Sequence, residues 1–132
     1  MLYRPFESSL NELLSSHQLQ RSQWTVFFYL HTYGPATLVE LANYQRVEKP
    51  NITRTVHRLE ELGFITRVPS ADKREKRIQL THTGRTVYQE MRVIIDKFEV
   101  EILAGIPEKE QKKIIQAMAQ IRNTLIKRGN RN

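Results

Sequence analysis

One stretch, residues 49–81, limits what this chain can fold into more than any other. It opens with Lys49-Pro-Asn-Ile-Thr-Arg-Thr-Val-His-Arg-Leu-Glu-Glu-Leu62. Ile52, Val56, Leu59 and Leu62 recur at steps of four, three and three, which makes one apolar stripe on a helix. The opposite side carries Asn51, Arg54, Thr55 and Arg58, all hydrogen-bond donors. Gly63 ends the helix where a left-handed residue costs least. Residues 64–68 and 76–80 read as two short strands, and 69–75 as a charge-rich turn between them. A helix with a polar outer face, followed by a basic hairpin, suits a protein that reads one DNA groove and grips the next.

The rest of the chain reads as helices around this unit. Residues 5–17 place Phe6, Leu10, Leu13 and Leu14 on one face. Residues 21–33 are strongly apolar through Trp24, Phe27, Phe28 and Leu30, and Gly34-Pro35 stops them. Thr37-Leu-Val-Glu40 fits a capping box that opens a third helix ending near Gln45. Val47 lies in the tight connection to the next helix, which makes the pair a helix-turn-helix. Pro50 falls in the first turn of the second helix, where its missing N–H costs nothing. Thr81 or Thr83 caps a long helix over 82–103, striped by Val87, Met91, Ile94, Ile95, Phe98 and Ile102. After Gly105-Ile-Pro107, a last helix carries Ile114, Ile115, Met118, Ile121 and Leu125. The fold class is therefore mainly α with a small two-stranded β wing: a winged helix-turn-helix plus a helical dimerisation region. The first and the last two helices carry more apolar surface than one chain needs. A symmetric dimer covers it; the alternative is a monomer with both ends folded back.

Charge and composition narrow the function. The net charge is +7, and nine Lys/Arg against five Asp/Glu fall between Arg46 and Arg77. That excess favours a polyanionic partner, because bound Lys and Arg release counterions from nucleic acid. There is no cysteine, so disulfides, cysteine-ligated zinc and thiol redox sensing are excluded. No apolar run is long enough to span a bilayer and no signal peptide is evident, so the expected location is cytoplasmic, with no membrane partner. Four histidines are scattered without metal-ligand spacing, and five glycines leave little for phosphate-cradling loops. The chain does not read as an enzyme, and no cofactor or metal is expected.

These residues together resemble the MarR family of bacterial transcriptional regulators, over nearly the whole chain. The resemblance rests on Leu38-x-x-Leu-Ala42, Pro50-Asn-Ile-Thr-Arg54 and Leu59-Glu-x-Leu-Gly-Phe-Ile-x-Arg67. Its most specific part is Asp72-Lys-Arg74 running into Ile78-Gln-Leu-Thr81 and Gly84. It implies one domain over 1–132, with a DNA-binding lobe at 21–81 and a dimerisation region from 1–20 and 82–132. It also implies a homodimer on a pseudo-palindromic operator in double-stranded DNA, most often as a repressor. Many members release DNA when a small aromatic ligand binds.

The implied DNA contacts are Pro50, Asn51, Arg54 and Thr55, with Arg58 and Lys49 on phosphates. Asn pairs with adenine and Arg with guanine through two bonds each. Arg58 and Lys49 also read as a plain solvated face. Arg74 would enter a minor groove, held by Asp72, and Lys73, Lys76 and Arg77 would reach phosphates. Glu48 departs from the small hydroxyl residue that the family often has as helix cap. His17, Trp24, Phe28 and His31 could line a ligand pocket, although Trp24 and Phe28 also read as core. A reading from another class is a winged-helix module that docks a protein, of antirepressor type, without operator binding. An RNA-binding winged helix is a further one.

Overall fold

The computed structural model describes residues 3–69 and 76–129. Asp72, Lys73 and Arg74 of the expected wing tip, and the side chain of Phe6, lie outside the described residues. The element order is α1 (Tyr3–Ser16), α2 (Arg21–Tyr33), β1 (Ala36–Thr37), α3 (Leu38–Gln45), α4 (Lys49–Glu61), β2 (Ile65–Arg67), β3 (Arg77–Leu80), α5 (His82–Leu103) and α6 (Glu108–Gly129). The chain divides into two compact units, 1–92 and 93–132.

In the first unit, α2 forms the centre because its apolar residues leave little room for water. Val26 and Phe27 are fully buried, and so are Leu41 of α3 and Ile52 and Leu59 of α4. Each such side chain contributes about 1.5–3 kcal/mol of transfer free energy. α1 packs on α2. Its Leu10 and Leu14 are buried, so the expectation that α1 lacks cover within its own chain does not hold. The break before α2 falls where Gln18 takes a left-handed backbone, with φ 62°. Gln23 then reaches back from the first turn, its Oε1 accepting from the Gln20 amide at 3.0 Å.

The expected wing has two strands, whereas the sheet has three, in the order β1-β3-β2. β1 is the added strand, with Ala36 opposite Ile78 and Thr37 opposite Arg77. Thr37 also caps α3, accepting from the Glu40 amide at 3.1 Å. One residue thus ends a strand and starts a helix. β2 and β3 pair with Ile65 opposite Leu80 and Thr66 opposite Gln79. Ile78 and Leu80 alternate into the core while Arg77 and Gln79 stay half-buried.

The junction from β3 to α5 explains two residues of the sequence motif. Thr81 Oγ1 donates to the Gly63 carbonyl at 2.6 Å and accepts from the Gly84 amide at 3.0 Å. The Thr81 amide bonds the Phe64 carbonyl at 3.0 Å. This draws the first turn of α5 so close to the chain at Phe64 that a Cβ at position 84 would overlap that carbonyl oxygen. Gly84 is required there for close approach. Gly63, with φ 81°, is required for conformation.

The second unit holds the end of α5 and all of α6. Gln111 closes the elbow between them, its Nε2 donating to the Leu103 carbonyl at 2.9 Å and the Ile106 carbonyl at 2.7 Å. The Leu103 carbonyl also accepts from the Ile106 amide at 2.9 Å, so the Gln111 side chain adds a second bond to the turn that follows α5. The apolar stripe of α6 is open: Ile115, Met118 and Ile121 are 58%, 50% and 59% exposed.

Candidate nucleic-acid interface

α4 builds the site by dividing its residues between two faces. Ile52, Val56 and Leu59 are buried, whereas Asn51, Arg54 and Arg58 are exposed and Thr55 is half-buried. The apolar stripe fixes the helix to the lobe, and the polar residues are left outward as a consequence. Glu48 is the N-cap residue, with φ −66° and ψ 144°, and its side chain makes no capping bond. Its carbonyl accepts from the amides of Asn51 at 3.0 Å and Ile52 at 3.3 Å. Pro50 falls in the first turn. Lys49 is exposed beside it.

The outward side chains are linked to one another. Arg54 Nη2 donates to Asn51 Oδ1. At the other end Glu61 accepts from Arg58 Nη1 at 3.2 Å and pairs with His57 Nε2 at 2.8 Å. Such exposed pairs add little stability, so the arrangement bears on what the face presents rather than on what holds it.

A cleft of about 480 Å³ runs along this face. α4 supplies Asn51, Arg54, Thr55 and Arg58, and the start of α2 supplies Gln20, Ser22 and Gln23. Val47, in the connection before α4, completes it. Sequence reasoning missed the α2 residues and Val47. Their local signal is only a position in a first turn or a loop; their place beside α4 comes from the packing of α2 on α4.

At the wing, Lys76 is exposed next to β3. Arg77, expected to reach a phosphate, is half-buried and has partners within the lobe. Its Nη1 lies 3.3 Å from Glu40 Oε1 and 3.4 Å from the Pro35 carbonyl, so it braces β3 against the start of α3. Glu40 also accepts from the Thr37 hydroxyl at 3.2 Å and from the Tyr29 phenol at 3.5 Å. Burial, and then the Glu40 carboxylate, raise the Tyr29 phenol above the usual tyrosine range. Tyr29 therefore stays a neutral donor to that carboxylate. Tyr29 also packs edge-on against Tyr44, with ring centroids 5.0 Å apart, and lies tilted against Tyr33 at 4.9 Å.

Of the residues expected to line a ligand pocket, two meet on one ring. Trp24 stacks on Tyr88 at 5.2 Å with planes 8° apart, and His31 stacks on the same ring at 4.1 Å and 22°. Trp24 and Tyr88 are buried and His31 is exposed. Phe28 is half-buried, and His17 is exposed just past α1. Among the described residues no group of His, Cys, Asp or Glu could hold a metal ion, and no helix is long and apolar enough to cross a membrane.

Comparison with known proteins agrees with this geometry. The MarR family model matches residues 19–76, from the end of the α1–α2 connection to the foot of the wing. The uncharacterized HTH-type transcriptional regulator YwoH of Bacillus subtilis (strain 168) is 43% identical over 101 residues, covering 76% of this chain and 74% of that protein. Staphylococcus aureus MarR, solved in complex with salicylate and kanamycin, is 29% identical with a TM-score of 0.79 over 96% of this chain and 86% of its own. A MarR family transcriptional regulator from Silicibacter pomeroyi is 26% identical, with a TM-score of 0.77 over 91% of this chain and 81% of its own. The motifs, the fold and these relatives agree that the chain belongs to the MarR family of transcriptional regulators.

Proposed function

We propose that this regulator works as a homodimer that binds a pseudo-palindromic operator in duplex DNA, sequence-specifically, and represses transcription from it. The observation that carries the reading is the outward face of α4. A buried stripe holds the helix while Asn51 and Arg54 stand together on the exposed side. Asn51 and Arg54 read base edges. Pro50 and Thr55 border them, and Lys49 and Arg58 reach phosphates. At the wing, Arg74 enters the minor groove with Asp72 holding its guanidinium, and Lys73 and Lys76 contact the backbone. Arg77, tied to Glu40, contributes to that contact through the base of the hairpin.

The proposal includes a division of labour. Residues 21–81 read DNA, and the dimerisation region comes from 1–20 and 82–132. The open stripe on α6 is the surface that a second copy covers. The two α4 helices then occupy successive major grooves, about 34 Å apart. A small aromatic ligand relieves repression, as the salicylate bound to the Staphylococcus aureus relative suggests. The site for it is the neighbourhood of Trp24, Phe28 and His31, with His17 at its edge. The protein acts in the cytoplasm, where its DNA is.

The test is selection of genomic DNA fragments by the purified protein at near-physiological salt, followed by sequencing. The expected result is a short inverted repeat near a promoter, bound with a steep salt dependence. A folded dimer that enriches no sequence would move the function to a winged-helix module that docks another protein.

A further inference from the structure

Behind the cleft beside α4, three polar side chains from three helices come together. Ser22 lies in the first turn of α2, Gln45 is the last residue of α3, and Thr55 is on α4. Their side chains meet. Ser22 Oγ donates to Gln45 Oε1 at 3.1 Å and lies 3.0 Å from Thr55 Oγ1. Gln45 Nε2 returns a bond to the Ser22 carbonyl at 3.0 Å. Thr55 Oγ1 also donates to the Asn51 carbonyl at 3.2 Å. All three residues are half-buried, so their bonds are partly shielded from competing water.

We propose that Ser22, Gln45 and Thr55 form a clasp that sets the rotation of α4, and that Thr55 serves sequence reading through this clasp rather than by touching a base. The proposal rests on the DNA-reading function above. Its physical basis is directionality. The stripe of Ile52, Val56 and Leu59 holds α4 down, but hydrophobic burial is non-directional and fixes rotation only loosely. Hydrogen bonds weaken steeply with angle, so they fix it well. For a helix of about 5–6 Å radius, a rotation of about 10° moves the outer edge by roughly 1 Å. That shift is enough to spoil a two-bond contact from Asn51 or Arg54 to a base. Ser22 and Thr55 carry one hydroxyl proton each, and Gln45 Oε1, the Asn51 carbonyl and the Ser22–Thr55 contact share those two, so neither hydroxyl has a proton left over for a base acceptor.

The experiment compares the full-length protein with Thr55→Val, Thr55→Ser and Gln45→Met. Gln45 does not line the cleft, so a direct contact with DNA gives its replacement no effect. One readout is the ratio of affinities for the selected inverted repeat and for a scrambled duplex. The other is hydrogen exchange of the α4 amides without DNA. The clasp predicts that Thr55→Val and Gln45→Met each lower the ratio about tenfold, through the repeat alone. It predicts faster exchange in α4 in both, and wild-type values for Thr55→Ser. Unchanged ratio and exchange in Gln45→Met overturn it. So does a fall in ratio for Thr55→Val with no change in exchange, which marks a direct base contact. If Thr55→Val does not fold, Gln45→Met alone decides between these outcomes. A wild-type protein without sequence preference, whose α4 exchange still rises in both variants, keeps the clasp and removes the DNA-reading function.

Discussion

α4 and α6 carry the same kind of pattern and meet opposite fates. Each has an apolar residue every three or four positions along one face. In α4 the stripe is closed: Ile52, Val56 and Leu59 are 0%, 3% and 0% exposed. In α6 it is open, with Ile115, Met118, Ile121 and Leu125 all at least half exposed. Amphipathicity specifies that a face needs cover, and it does not specify where the cover comes from. The first helix finds it within its own lobe. The second is left open, and a second copy is its proposed cover. The two helices should therefore fail in different ways.

The largest effect is expected from Leu59→Ala. It removes a fully buried side chain from the closed stripe and leaves a cavity, at a cost of about 2–5 kcal/mol. Thermal unfolding should show this loss at any protein concentration. A loss that vanishes on raising the concentration would mean that α4 is held through association, and the contrast with α6 would collapse. The matching change on the open stripe is Ile121→Asp. A charge in an apolar interface costs on the order of several kcal/mol. Sedimentation should show a shift from dimer to monomer, with the α4 lobe still folded by hydrogen exchange. An unshifted dimer would place the partner surface elsewhere.

The outer face of α4 should respond in binding and not in stability. Arg54→Ala should cost about 1–3 kcal/mol on the selected repeat and relax the preference at one base position. Its thermal midpoint should stay within error of the wild type, because Arg54 is exposed. Equal weakening on the repeat and on scrambled DNA would reduce Arg54 to a phosphate contact.

The sequence made Ile52, Val56 and Leu59 legible as the closed stripe because that information is local; Leu62, read with them, is the C-cap residue beyond the helix and is 42% exposed. The bounds of α2, α3 and α5 follow from caps, glycines, prolines and period, and the structure places them where that reading does. β1 was not legible, because Ala36 and Thr37 become a strand only by pairing with Ile78 and Arg77, far along the chain. The same limit hid Gln20, Ser22 and Gln23 from the site, since nothing near them in sequence points to α4. It hid Tyr88 as well, the ring on which Trp24 and His31 meet. Arg77 was legible as a cation but not as the partner of Glu40. A charge is visible in sequence, whereas its pairing depends on the register of the sheet.

The smallest expected effect has an unusual sign and isolates what the open face of α4 is for. Glu61 is the acid at the end of that face, and it holds both Arg58 and His57. Glu61→Gln removes a negative charge that repels phosphates and frees the Arg58 guanidinium to meet one. Stability should hardly move, because both pairs are exposed. DNA affinity should rise about two- to threefold on the selected repeat and on scrambled duplex alike, most clearly at low salt where screening is weakest. Arg58→Ala should move both affinities the opposite way and reduce the salt slope by about one. Paired titrations at two salt concentrations measure both. A tighter repeat with unchanged scrambled binding would make Glu61 part of base reading, and a weaker one would mean that the pair with Arg58 shapes the contact rather than restrains it.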